Sequence, residues 1–333
     1  MTLDASNWRA VVTRYQQADV RRAVTQMLTT LVPLALTLYV MYLSLAWSYW
    51  ITLALAIPAA GFMVRTFIIM HDCGHGSFLP SQRWNNLVGY VTGLLTFTPY
   101  AEWRHEHAIH HATAGDLDRR GHGDIETLTI DEYLALSRWG RFQYRFYRNP
   151  FVMLLLGPAY LMIGQRIPGR FKSSGSPKTS SVWSTNLGIA VVVTALAMMV
   201  GLQSVVLVYL PAGYLAASAG VYLFFVQHQF DHAYWERHAT WDYATAAIAG
   251  CTYLKLPGVL QWFTGNIGLH HVHHLAPRVP NYNLQRAHDE NPVFHRAPTV
   301  TLAQSVRLLR LALWDEQHKR LVRFADLRAM QKA

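Results

Sequence analysis

The stretch YWITLALAIPAAGFMVRTFIIMHDCGH, residues 49–75, places a long apolar run directly before two histidines that are four residues apart. The run from Tyr49 to Met70 has the length and apolarity of a membrane-spanning helix. If the helix continues for one more turn, His71 and His75 lie on the same helical face at the membrane boundary. We therefore expect a spanning helix that carries two potential metal ligands at its end.

Three further apolar stretches are long enough to span a membrane, and the four stretches form two pairs. The predicted spans cover about residues 27–47, 49–70, 182–202 and 205–226. The gaps within each pair are short, which predicts two tight helical hairpins. The composition, 52% hydrophobic and 14% charged, is typical of a membrane protein with sizeable water-facing parts. The predicted fold class is all-α integral membrane, with four transmembrane helices in two hairpins, in a chain of one domain over residues 1–333.

The distribution of Lys and Arg predicts the orientation. Both hairpin turns lack basic residues, which gather before the first span, between the hairpins and after Pro277. The positive-inside rule then places both termini, and the regions 71–181 and 227–333, in the cytoplasm. The net charge of +10 is therefore attributed to orientation and contact with anionic lipids rather than to nucleic acid. Part of this basic face is also suited to an acidic electron carrier.

Most of the 17 histidines lie in clusters that follow a predicted span or fall in the two cytoplasmic regions. We expect His228 and His232 to extend the fourth span as His71 and His75 extend the second. The tail from Leu284 onward has apolar residues at helical spacing, so we expect a helical cap. Ten imidazoles are more than one tetrahedral zinc needs and are enough for two metals with an open position. The candidate ligands are His71, His75, His107, His110, His111, His228, His232, His270, His273 and His274.

The identity of the metal stays open at the level of the residues. A zinc protease motif HExxH fails because Ile109 occupies the position of its second histidine. The paired ExxH motifs of soluble di-iron bundles are also missing, since only Glu102–His105 has that spacing. Histidine-rich sites at a membrane boundary favour a di-iron centre that activates oxygen, although imidazole ligands also suit zinc and copper.

Residues beside the clusters are candidates for a supporting role. Asp72, Glu106 and Asp231 adjoin candidate ligands and could accept a ring N–H, as could Asn266; for the acids, a solvated or capping role is an equal alternative. The isolated histidines are interpreted as ordinary surface or packing residues; they are His122, His238, His288, His295 and His318.

Four motifs carry a resemblance to a known family. They are HDCGHGSF at 71–78, WRHEHAIHHATAG at 103–115, QHQFDHAYW at 227–235 and GNIGLHHVHHLAPRVPNYN at 265–283. In order and spacing they resemble the histidine boxes of integral-membrane fatty acid desaturases, and their flanking residues are most similar to bacterial acyl-lipid desaturases. The resemblance covers nearly the whole chain.

The resemblance implies a function and a cofactor. Two iron ions held by the ten histidines above would use O2 as co-substrate and electrons from ferredoxin or cytochrome b5. The reaction would remove hydrogen from two adjacent methylenes of a membrane-lipid acyl chain and leave a cis double bond. Family members carry either a histidine or a water-holding asparagine near His228, and the extra His105 and His271 could replace a neighbouring ligand. The resemblance also implies a bacterial inner membrane location with a cytoplasmic site.

Two other functions remain as alternatives. The same metal site could support hydroxylation, as in membrane oxygenases that act on alkyl, sterol or carotenoid substrates. The mass of the product distinguishes these reactions, because desaturation removes hydrogen and hydroxylation adds oxygen. The histidines could also bind a metal in a membrane receptor or sensor without turnover, although ten ligands exceed what sensing needs.

Overall fold

The computed structural model describes residues 8–121, 123–169 and 179–330. In chain order, the α-helices are α1 (Trp8–Thr13), α2 (Val20–Ser44), α3 (Tyr49–Gly74), α4 (Gln82–Leu95), α5 (Tyr100–Thr113), α6 (Ile130–Ala135), α7 (Arg138–Tyr147), α8 (Pro150–Gly164), α9 (Thr179–Val200), α10 (Leu202–His228), α11 (Tyr243–Ala249), α12 (Gly258–Phe263), α13 (His270–Leu275), α14 (Asn281–Asp289), α15 (Leu302–Leu308) and α16 (Phe324–Met330). The strands are β1 (Leu128–Thr129), β2 (Tyr253–Lys255), β3 (Thr299–Thr301), β4 (Leu311–Asp315) and β5 (Arg320–Arg323), and 3₁₀-helices cover Leu117–Arg119 and Pro292–Arg296.

Helices α2, α3, α9 and α10 are long and apolar enough to cross a membrane, which confirms the four predicted spans. Helix α2 begins at Val20, before its predicted start, because Asp19 caps it, accepting a hydrogen bond from the Arg22 backbone N–H at 3.1 Å. The second hairpin turns at Gly201, whose φ of +82° is a left-handed conformation that favours glycine. The sequence therefore forms the two predicted hairpins, and the protein is an integral membrane protein.

Helix α3 is the centre of the spanning bundle and packs against both α2 and α10. Small buried residues, including Ala56, Ala59 and Ala212, allow the helices to approach closely. Large apolar side chains point outward on the other faces: Leu36 is 59% exposed and Met198 is 80% exposed. Exposure of this kind is expected where lipid tails cover the helix surface.

The shorter elements gather around the ends of the spanning helices that carry histidines. Helix α5 packs against α3, α4 and α9, and α13 is held by α11, α14 and β2. Strand β2 also contacts α10. These contacts bring segments that are far apart in the sequence to the ends of α3 and α10.

The expectation that the tail is helical is wrong in part, because residues 284–330 also contribute three strands, β3, β4 and β5. Strand β4 pairs antiparallel with β5 and parallel with β1, with Leu128 opposite Leu313. Strand β3 pairs parallel with β2. The buried Arg148 supports this arrangement by donating to the Leu311 carbonyl oxygen at 2.8 Å and to Gln229 Oε1 at 2.9 Å. Tertiary partners therefore override the helical pattern of the tail.

Candidate metal centre

The C-terminal end of α3 delivers the first two histidines. The helix continues to Gly74 and His75 is its cap residue, so the predicted extension by one turn is confirmed. The His71 and His75 ring centroids lie 4.8 Å apart. His71 is 4% exposed, which places it inside the protein rather than on its surface.

Helix α5 contributes His107, His110 and His111. The Nε2 atoms of His107 and His111 lie 3.1 Å apart, since the two residues are one turn apart on the same face. The Tyr100 hydroxyl donates to the Cys73 carbonyl oxygen at 2.8 Å and thereby fixes the start of α5 against the end of α3. Trp103 stacks on the His107 ring at a centroid distance of 4.4 Å.

Helix α13 supplies His270, His273 and His274 from the C-terminal part of the chain. His273 Nε2 lies 3.0 Å from His111 Nε2, and His270 Nε2 lies 2.9 Å from His228 Nε2. The short helix is fixed at its start by the Leu254 N–H, which donates to the Gly268 carbonyl oxygen at 2.8 Å.

These histidines form two adjacent groups, each with its ring nitrogens within 4.8 Å of one another. His111 of one group and His274 of the other stack at a centroid distance of 4.1 Å, so the two groups are in direct contact. His270 lies beside the smaller group through its contact with His228. The five-histidine group is His71, His75, His107, His111 and His273, and the three-histidine group is His110, His228 and His274.

The structure does not bring His232 to either group. The expectation that His228 and His232 share a helical face is wrong, because α10 ends at His228 and His232 is exposed. Tertiary contacts account for this end: the buried side chain of Gln229 accepts hydrogen bonds from Arg148 and Thr127. The chain therefore leaves the helix one turn before His232.

Other histidines also lie outside the two groups. His105 is only partly buried, and His271 Nε2 lies 3.2 Å from His288 Nδ1, so neither belongs to the two groups. The ring centroids of His288 and His295 lie 4.9 Å apart, so the prediction that these two histidines are isolated is wrong. His238 and His318 pair instead with Asp116 and Asp315, and His122 lies outside the described residues.

Two carboxylates orient histidines of the centre. Asp72 Oδ1 lies 3.0 Å from His71 Nδ1, as the sequence suggested, and Asp124 Oδ1 lies 2.6 Å from His110 Nδ1. A carboxylate that accepts from Nδ1–H leaves Nε2 with a free lone pair directed at the centre. Sequence reasoning missed Asp124, which no motif marks and which a loop brings back to α5.

Two of the other suggested supporting residues behave differently. Asp231 is exposed, and the Asn266 side-chain amide donates to the Asn281 carbonyl oxygen. A further contact that the sequence did not suggest is Cys251, whose Sγ lies 3.7 Å from His228 Nδ1. The two cysteines are unpaired.

The electrostatic environment suits metal binding. Burial, and then repulsion from neighbouring imidazoles, holds the pKa well below its ordinary value for His107, His111, His270, His273 and His274. These rings are therefore neutral at physiological pH, as a metal ligand must be. The buried Nε2 atoms of His75 and His274 have no hydrogen-bond partner among the described residues.

The distances between facing nitrogens fit the same interpretation. They are 2.9–3.3 Å between Nε2 atoms of His107 and His111, His111 and His273, His110 and His228, and His228 and His270. Ligands bound at about 2.0–2.1 Å, as imidazole binds zinc, lie roughly 3 Å apart when they meet at right angles. The residues therefore fit a metal centre built from imidazole.

Comparison with known proteins agrees with this geometry. The family model described as fatty acid desaturase matches residues 44–303. A fatty acid desaturase of Bacillus subtilis is 45% identical over 319 residues, which cover 95% of this chain and 90% of that protein. An endoplasmic reticulum omega-3 fatty acid desaturase of Nicotiana tabacum is 30% identical over 66% of this chain and 59% of its own length. The sn-1 acyl-lipid omega-3 desaturase (ferredoxin) of Synechocystis is 30% identical over 66% of this chain and 62% of its own length.

Proposed function

Because the chain belongs to the fatty acid desaturase family, we propose that it inserts a cis double bond into acyl chains of membrane lipids. The reaction uses O2, two iron ions and electrons from ferredoxin or a similar soluble donor. The observation that carries the proposal is the convergence of eight histidines from α3, α5, α10 and α13 into two adjacent groups. A ferredoxin is named for the Synechocystis relative, which supports a donor of that kind here.

The proposed ligands differ from the ten predicted from the sequence in one residue. The five-histidine group would hold one iron. The three-histidine group, together with His270, would hold the other, and His232 is left out. When bound, the iron pair supplies an oxidant strong enough to break an unactivated C–H bond, which no side chain can supply.

The protein's own residues orient and shield the ligands. Asp72 and Asp124 hold a proton on Nδ1 of His71 and His110, so that each Nε2 faces the centre unprotonated. Trp103 stacks on His107, and the Phe224 ring lies 5.1 Å from both the His110 and the His228 rings. These aromatic rings exclude water, which would otherwise compete for the centre.

The enzyme would work at the cytoplasmic face of a bacterial inner membrane. Residues 1–333 act as one desaturase domain, with regions 71–181 and 227–333 on the cytoplasmic side. The basic residues of these regions would attract an acidic donor. The acyl chain would reach the centre from the membrane side, because the first two ligands lie at the end of a spanning helix.

The test is the fatty acid profile of a bacterial host that expresses the chain together with a ferredoxin and its reductase. We expect a new cis-unsaturated acyl chain, identified with its double-bond position by mass spectrometry. The His110→Ala variant should lack it, whereas His318→Ala, which changes an exposed histidine far from the groups in sequence, should retain it. Hydroxylated chains would instead establish the oxygenase alternative, and an unchanged profile with iron-loaded protein and donor present would contradict the proposal.

A further inference from the structure

A second site lies outside the metal centre, between the first hairpin and the segments that follow α10. It is a cavity of about 310 Å³, within the usual size of small-molecule pockets, about 300–1,000 Å³. Its lining is rich in hydrogen-bond donors and includes Arg22 and Gln26 of α2, Arg65 of α3, Gln261 and Trp262 of α12, and Asn281 of α14.

Arg65 brings a nearly buried positive charge to this cavity. It is 8% exposed, its Nε donates to Thr30 Oγ1 at 3.1 Å, and its Nη1 donates to the Trp262 carbonyl oxygen. Its guanidinium also lies 4.0 Å from the Trp262 ring centroid. These bonds use two of the five N–H donors of a guanidinium. The ion pairs found among the described residues include neither Arg65 nor Arg22, so the positive charge of the cavity is not neutralised by a carboxylate.

Gln26 provides an independent indication of a ligand. It is 4% exposed, and its Nε2 has no hydrogen-bond partner among the described residues. A buried donor without an acceptor is energetically costly, so such groups usually meet a bound partner. The missing partner must be an acceptor, as the oxygen of an anion is.

We propose that this cavity binds the phosphate of the glycerophospholipid whose acyl chain is the substrate, an inference that rests on the proposed function. Arg22 already donates from Nη1 to Asn283 Oδ1 and from Nη2 to the Tyr282 carbonyl oxygen, so each guanidinium keeps three of its five N–H donors. These donors and the free amide match the charge and the acceptor oxygens of a phosphate diester. A lipid without an anionic group would leave the charge of Arg65 buried and unpaired. The cavity adjoins two spanning helices, and lipid head groups are the phosphates present at a membrane surface.

A pair of hydrogen-bonded residues links the cavity to the metal centre. Asn281, which lines the cavity, donates to Asp72 Oδ2 from its backbone N–H at 2.6 Å and from Nδ2 at 2.8 Å. The other oxygen of Asp72 contacts His71 Nδ1 at 3.0 Å. A head group held here would therefore lie beside the end of α3 that carries the first ligands, as the presentation of its own acyl chain to the centre requires.

The test measures binding of a short-chain phosphatidylglycerol to the purified full chain in an uncharged detergent by calorimetry. The diacylglycerol with the same chains and inorganic phosphate are the comparison ligands. We expect the phospholipid to bind at least about tenfold more tightly than either one, because charged groups strengthen its hydrogen bonds. Arg22→Gln and Gln26→Met should each weaken its binding about tenfold, since a hydrogen bond to a charged group is lost. Arg21→Gln, the matched control, changes the neighbouring exposed arginine that does not line the cavity and should leave the affinity essentially unaltered.

Gln26→Met keeps this test independent of folding, because it removes an unpartnered donor at nearly constant volume and should leave the thermal unfolding midpoint unchanged. Equal binding of phospholipid and diacylglycerol, or equal effects of Arg21→Gln and Arg22→Gln, would overturn the inference. Inorganic phosphate that binds as tightly as the lipid would also overturn it, since the site would then serve a free anion. Binding requires no turnover, so the site and the proposed function can fail separately. If the unsubstituted chain makes new double bonds but neither Arg22→Gln nor Gln26→Met lowers the affinity for phospholipid, only the site is refuted. Specific lipid binding without any double bond would refute the proposed function instead.

Discussion

Each of the two histidine groups contains one histidine whose Nδ1 contacts a carboxylate. Asp72 directly follows its partner His71 on the same helix. Asp124, which contacts His110, comes instead from the loop that follows α5. Both carboxylates are well shielded from water: Asp72 is 2% exposed, and the Asp124 side chain is 11% exposed. Shielding strengthens these contacts, so each carboxylate should control the orientation of its imidazole.

Replacing Asp124 with asparagine should weaken the metal centre without unfolding the protein. The amide cannot hold the Nδ1 proton of His110 as a carboxylate does, and losing such a partner typically costs about 10–100-fold in metal affinity or activity. We expect Asp124→Asn to lower bound iron, measured by elemental analysis, and to lower the yield of unsaturated product. Asp131→Asn, at an exposed position, is the control and should retain both. Full iron content and yield in Asp124→Asn would contradict this role.

A second prediction at this scale separates His228 from His232. His228 is 9% exposed and belongs to the three-histidine group, whereas His232 is exposed and outside both groups. We expect His228→Ala to lose about half of the bound iron, since it would hold one of two ions, and to lose all desaturation. His232→Ala should match the unsubstituted protein in iron content. Equal iron loss in the two variants would return His232 to the ligand set.

The residues that were predictable from the sequence are those whose position depends on local geometry. His71, His75, His107 and His111 follow from helical spacing alone. The extension of α10 to His232 was predicted wrongly, because the end of this helix depends on hydrogen bonds that distant parts of the chain make to Gln229. The carboxylate that contacts His110 was missed for the same reason, since only the folded loop brings it there.

At the scale of elements, the contact between α4 and α5 sets the position of three of the clustered histidines. Gly89 of α4 packs so closely on the Tyr100 ring that an added methyl group would overlap it. Tyr100 in turn fixes the start of α5 to Cys73 of α3. The spacing of these helices therefore depends on a residue without a side chain.

Gly89→Ala should push the start of α5 away from α4, disturb the bond from Tyr100 to Cys73 of α3 and so disturb the centre. Overpacking of this kind costs about 1–3 kcal/mol, so we expect a lower thermal unfolding midpoint and less bound iron. Gly220→Ala on α10 is the matched control, because nothing lies within 4 Å of an added methyl group there. In that position alanine should preserve or raise stability, by up to about 1 kcal/mol. If both variants unfold at the same temperature, the contact between Gly89 and Tyr100 does not position α5.

The elements themselves were predictable to different degrees. The four spans follow from length and apolarity, which the membrane imposes on any spanning helix. The strands of the tail did not follow, because β3 and β4 are short and pair with segments far away in the sequence. Pairing of this kind depends on tertiary context more than on local preference.

At the scale of the whole molecule, the two hairpins explain why all the clustered histidines meet. Each hairpin leaves one side of the membrane and returns to it, so the ends of α3 and α10 lie on the same side. The chain segments between and after the hairpins then supply α5 and α13 to that side. The turns at residues 45–48 and at Gly201 lie at the opposite ends of the spans and contain no Lys or Arg.

This arrangement makes the orientation testable with single cysteines. The native Cys73 and Cys251 are buried, so a membrane-impermeant maleimide should react little with the unsubstituted chain. Gln203, beside the second turn, and Gln317, between β4 and β5, are both exposed and offer matched positions. If the basic regions are in the cytoplasm, Gln203→Cys should be labelled in spheroplasts whose inner membrane is intact. Gln317→Cys should be labelled only after that membrane is permeabilised. The reverse pattern would place the metal centre outside, away from any cytoplasmic electron donor, and would contradict the proposed orientation and donor together.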